Sequence, residues 1–108
     1  MEEREASELT TVFARSVSDS AERTKISATS ADELLDMVRG ASDLSSLIVE
    51  VDSAFSREDY PEAEGVIALT AVLVDAGVVA FETHFPVSVR RILDTHAAIK
   101  AGSIEAVG

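Results

Sequence analysis

Four ionisable side chains sit at two-residue spacing in two apolar stretches. Leu47-Ile-Val-Glu-Val-Asp52 carries Glu50 and Asp52, and Val78-Val-Ala-Phe-Glu-Thr-His84 carries Glu82 and His84. Both stretches read as strands, the first being especially rich in β-branched residues. Strand side chains alternate between faces, so Glu50 shares a face with Asp52, and Glu82 shares one with His84. Carboxylates and an imidazole on adjacent strand ends suit Mn, Zn or Fe, and a carboxylate-rich set suits Mg. A divalent metal held there would activate a water for hydrolysis. Convergence requires the two strands to be neighbours, ~4.8 Å apart, because an intervening strand doubles the gap. The competing reading of the same pattern is a polar strand face that meets only solvent or a partner.

Other reactive residue types carry less. His96 lies near Leu93 and Ile99 on a helical stretch and reads as a boundary residue. Arg90 and Arg91 are too few for a phosphate clamp, and no glycine-rich phosphate loop is present. Ser53 ends a strand without the glycines of a nucleophile elbow. Arg57, with Glu58 and Asp59, sits in a polar loop that could move over a ligand.

The elements that must position these groups follow from periodicity. Leu9, Val12, Phe13 and Val17 recur at helical spacing and predict a helix over 2–21, with Glu2, Glu3 and Glu5 in its first turn. A short strand is expected within 23–29, around Ile26. Ser30-Ala-Asp-Glu33 has capping-box spacing, so a helix runs from there to Arg39, with Gly40 as its C-terminal cap. Pro61 opens a helix to Ala76 that is apolar nearly all round and ends at Gly77. Pro86 opens a last helix to Ala101, closed by Gly102, and 103–108 form a loose tail.

The expected order is α-β-α-β-α-β-α over one α/β domain, 1–108, with three parallel strands. A sheet covered by helices on both faces has apolar strands throughout. Here Glu50, Asp52, Glu82 and His84 would be trapped without partners, which is prohibitive. The expected arrangement therefore puts the helices mainly on one face, as in part of a (β/α) barrel, with ionisable groups at the strands' carboxyl ends. An open sheet face makes self-association or a partner protein over that face plausible.

Composition sets the outer bounds. The 108 residues contain no cysteine, so disulfides and thiolate-held metals are excluded. Twenty acids against nine bases give a net charge of −11, which argues against nucleic-acid and anionic-membrane surfaces. Abundant Asp and Glu with only two lysines is similar to the usage of salt-loving microbes, where concentrated salt screens the repulsion. No apolar run approaches the ~20 residues of a membrane span, and the acidic start is unlike a secretory signal. The expected location is the cytoplasm.

Residues about 31–101 resemble the last two β/α units of dihydropteroate synthase, a pterin-binding (β/α) barrel family of folate synthesis. The likeness rests on Asp52-Ser-Ala54 after a strand, on Glu64-Gly-Val-Ile-Ala-Leu69 opening an apolar helix that ends at Gly77, and on Phe81-Glu-Thr-His84-Phe85 before the last helix. His84 stays in register with the histidine of the family's final strand. The family's Ser-Arg-Lys becomes Asp52, Ser53 and Ala54, and the arginine of its final strand falls on Glu82. Those basic groups hold the pterin and stabilise the leaving diphosphate in the family, and an acidic pocket repels that anion. A whole barrel also needs ~250 residues. The resemblance thus implies a diverged module, not catalytic alone, acting as a ligand-binding remnant or within an assembly. Its implied ligand-binding residues are Asp52, Ser53, Arg57, Glu82 and His84.

Overall fold

Strand pairing organises the chain around β4 (Ala80–Thr83), which lies between β1 (Thr10–Phe13) and β3 (Leu47–Glu50), with β2 (Thr24–Ile26) outside β3. The computed structural model describes residues 4–18, 21–55 and 62–102. The sheet order is β1-β4-β3-β2. β2, β3 and β4 run parallel, and β1 pairs antiparallel with β4, Val12 opposite Phe81. The sheet is thus four-stranded and mixed, where three parallel strands were expected.

The largest departure is at the amino end. The stretch expected as a helix over 2–21 holds β1 instead. Thr10-Thr-Val-Phe13 is a run of β-branched and aromatic residues, and pairing with β4 satisfies an edge that would otherwise be bare. The helical spacing of four apolar residues is overridden by that pairing.

The other elements follow the sequence closely. α1 (Ala31–Arg39) starts at Ser30, whose hydroxyl accepts from the Glu33 amide at 3.2 Å. Gly40 closes α1 at φ −82°, so its left-handed freedom is not used there. α2 (Glu62–Ala76) ends at Gly77, whose φ of +119° does require glycine. α3 (Pro86–Lys100) closes at Ala101 and Gly102, the latter at φ +76°. Pro61 and the tail 103–108 lie outside the described residues.

One core joins the sheet to the helices. From the sheet it takes Val12, Leu47, Val49 and Phe81, which alternation places on one face, and it takes Val51 just past the end of β3. From the helices it takes Leu34, Val38, Val66, Leu69, Leu73, Val89 and Leu93. Right-handed crossovers between consecutive parallel strands put their helices on that same side.

The opposite face carries its own cover. Lys25 reaches from β2 across β3 to Glu82 on β4, Nζ to Oε1 2.9 Å. The Arg23 guanidinium lies 5.1 Å from the centre of the Phe13 ring. Ala80, on this face and outside the main core, is fully buried. No described helix is long and apolar enough to cross a membrane.

Candidate functional site

The carboxyl ends of β3 and β4 bring together most of the singled-out residues. β3 stops at Glu50, and residues 52–55 turn at once into a short 3-10 helix. That turn moves Asp52 off the strand, so it does not share a face with Glu50 as extended chain would require.

Asp52 is buried and points at β4. Its Oδ1 accepts from the Thr83 hydroxyl at 2.7 Å, and its Oδ2 accepts from the His84 amide at 2.7 Å. Burial raises the Asp52 pKa against the pull of these two hydrogen bonds, and the negative charges of Glu50 and Glu62 add to the rise. Glu50, also buried, accepts from the Ser53 amide at 2.9 Å and from the Ser53 hydroxyl.

The amino-terminal segment straps across these strand ends. The Ala6 amide donates to the His84 carbonyl at 3.0 Å, and the His84 Nδ1 lies 3.1 Å from the Ala6 carbonyl. A carbonyl only accepts, so Nδ1 carries a proton in this contact. Arg4 grips Glu62 at the start of α2 with two parallel bonds of 2.8 Å. The Arg4 hydrogen bond lowers the Glu62 pKa and outweighs the raising effect of burial.

Glu5 caps α3, accepting from the Val87 amide at 2.7 Å, the Ser88 amide at 3.1 Å and the Ser88 hydroxyl. Burial acts to raise the Glu5 pKa, but these bonds prevail and leave it lowered. Glu5 therefore serves a helix dipole, though α3's and not that of a helix of its own.

The proposed metal quartet does not assemble. β3 and β4 are neighbours, and Glu50 stands opposite Glu82, so strand order is no obstacle. The obstacle is prior engagement: Glu50 with Ser53, Asp52 with Thr83 and His84, Glu82 with Lys25, and His84 with Ala6. Among the described residues no group of three or more His, Cys, Asp or Glu side chains is arranged to hold a metal ion.

Of the implied ligand-binding set, Asp52, Ser53 and His84 meet at these strand ends. Glu82 points to the face opposite the helices, where Lys25 holds it, and Arg57 lies outside the described residues. His96 is half-buried between α2 and α3, 3.7 Å from Asp75. Arg90 reaches the Phe13 carbonyl at 2.6 Å and Asp94 at 3.5 Å.

The sequence does not single out Arg4, Glu62 or Thr83 as site residues, and it offers Glu5 only as the first turn of a helix of its own. Only Thr83 left a signal, as a polar residue on the strand face otherwise destined for the helices. The other three owe their roles to contacts 58 to 83 residues away in the chain.

No protein-family model, curated protein or solved structure matches the chain.

Proposed function

We propose that the chain is a dihydropteroate-synthase-like β/α module that is not catalytic alone. It serves as a ligand-binding remnant or as one part of an assembly linked to pterin chemistry, in the manner of part of a TIM-type barrel. Three consecutive parallel strands, each followed by a helix, support the barrel-like reading. So does the clustering of Asp52, Ser53, Thr83 and His84 at strand carboxyl ends, where such folds place their ligands.

The observation that carries the non-catalytic reading is the engagement of Glu50, Asp52, Glu62 and His84 by other groups of the chain. Arg4, the cation beside Asp52, is spent on Glu62 and is not free to hold a diphosphate. A pterin presents paired N–H donors, which a buried carboxylate such as Asp52 can accept on the lone pairs that Thr83 and the His84 amide leave.

Isothermal calorimetry of the full chain with a pterin, beside a synthase assay on the same preparation, tests this function. The expected result is heat of binding that Asp52→Asn diminishes, with no turnover. Turnover by the isolated chain overturns the non-catalytic reading.

A further inference from the structure

β1 forms one margin of the sheet, and only its inner side is paired. The Ala14 amide donates to the Val79 carbonyl at 2.8 Å, so alternation aims the backbone groups of Thr10, Val12 and Ala14 at β4. The Leu9 carbonyl, the Thr11 amide and carbonyl, and the Phe13 amide therefore point outward. None of these four groups meets a partner among the described residues. The next outward group, the Phe13 carbonyl, accepts from Arg90 at 2.6 Å. Beside this edge runs a groove of about 460 Å³, lined in part by Thr11, Phe13, Val17 and Arg90.

Edge strands are normally defended by charge, proline or a bulge. β2, the opposite margin, is three residues long and carries Lys25. β1 lacks such a defence: Leu9 to Ala14 holds no charge, proline or glycine, on a chain of net charge −11.

We infer that this edge is a self-pairing surface whose occupant is β1 of a second copy, antiparallel about a two-fold axis that passes between the two Thr11 residues. From the amino end, the four free groups run acceptor, donor, acceptor, donor. In the reversed strand of the second copy they run donor, acceptor, donor, acceptor, so each finds its match. The two Thr11 residues exchange amide-to-carbonyl bonds, and each Phe13 amide bonds the other copy's Leu9 carbonyl. A shift of two residues either way leaves two bonds among these groups instead of four. A shift of one turns the side chains to the wrong face. An edge that holds both halves of its own match is what an isologous dimer requires.

The side chains agree with that register. Alternation puts Leu9, Thr11 and Phe13 on the face opposite the helices. Leu9, 41% exposed, then lies across from Phe13 of the other copy, and Thr11 lies across from Thr11. The flanking acids, Glu8 of each copy, stay ~20 Å apart at ~3.4 Å per residue. A ladder this short makes a small contact and a weak dimer. The charge of −11 on each copy opposes it, so added salt should tighten it by screening the repulsion.

Nuclear magnetic resonance of the full chain from about 20 µM to about 2 mM, in about 0.1 M and about 2 M KCl, reads this directly. The Thr11 and Phe13 amides should exchange freely when dilute and gain protection as concentration rises, more so in the higher salt. Thr11→Pro deletes the central donor but no bond to β4, so the variant should fold and its dimer should weaken at least ~10-fold. The natural chain has no cysteine, so single-cysteine variants report the geometry. Opposed Thr11 residues have Cα atoms ~5.5 Å apart, within disulfide range. Oxidation should therefore link copies of Thr11→Cys at least ~10-fold faster than copies of Thr24→Cys on β2. A chain that stays monomeric at the highest concentration in both salts overturns the proposal. So does protection gained at β2 or on α2 and α3 instead, a dimer indifferent to Thr11→Pro, or equal linking rates.

Discussion

The Thr83 hydroxyl donates to Asp52 and accepts from the Phe85 amide, 2.7 Å on one side and 3.0 Å on the other. One fully buried oxygen thus ties the end of β3 to β4 and to the start of α3. Thr83→Val keeps the shape and removes both bonds. It leaves a buried carboxylate with one donor fewer and an amide with none, so a loss of about 2–4 kcal/mol is expected in denaturant unfolding.

Asp52 gives the fold a pH dependence opposite in sign to that of ordinary paired carboxylates. Its native pKa is raised by burial, so its contribution is full below the unfolded value of about 4. That contribution is lost as pH rises through the raised native value. Asp52→Asn should remove this falling limb, so the wild-type melting temperature should decline relative to the variant as pH climbs from about 4 towards neutrality.

Glu62 runs the other way. Arg4 lowers its pKa below 4.5, so the stability it contributes is present above that value and is lost as pH falls through the native one. Arg4→Met should shrink the acid limb alone. Arg4 is about half exposed, so the change at neutral pH should stay under ~1 kcal/mol. Melting curves between about pH 2 and 7 on the three proteins separate the two limbs.

Gly65 is needed for space rather than for its dihedrals. A Cβ there would sit against the Phe55 ring, 2.7 Å from Cε1, so α2 could not keep its distance from the short helix at 52–55. Alanine normally gains about 1 kcal/mol over glycine inside a helix. Here the overlap should reverse that and cost about 1–3 kcal/mol, read as a shift in urea midpoint. Phe55→Leu in the same chain should recover part of it.

Thr70 is fully buried in α2, and its hydroxyl has no hydrogen-bond partner among the described residues. Thr70→Val removes an unsatisfied polar group at nearly constant volume. The variant should be more stable by about 1 kcal/mol, which a urea titration resolves.

Sequence alone determined what short-range physics controls. Ser30 caps α1 because its hydroxyl needs only an amide three residues on. Gly77 ends α2 because the left-handed turn excludes side chains. The alternation at Leu47–Glu50 and around Glu82 separated a helix-facing side from a polar one before any partner was known.

Tertiary structure decided what depends on distant residues. Thr10–Phe13 became a strand because β4 offered an unpaired edge, not because of its own spacing. Arg4 and Glu5 found Glu62 and Ser88 at the far side of the chain. The four groups that looked like metal ligands were claimed one by one, by Ser53, Thr83, Lys25 and Ala6. A buried or half-buried polar group takes whichever partner the fold brings within reach, and residue types and spacing do not encode which one that will be.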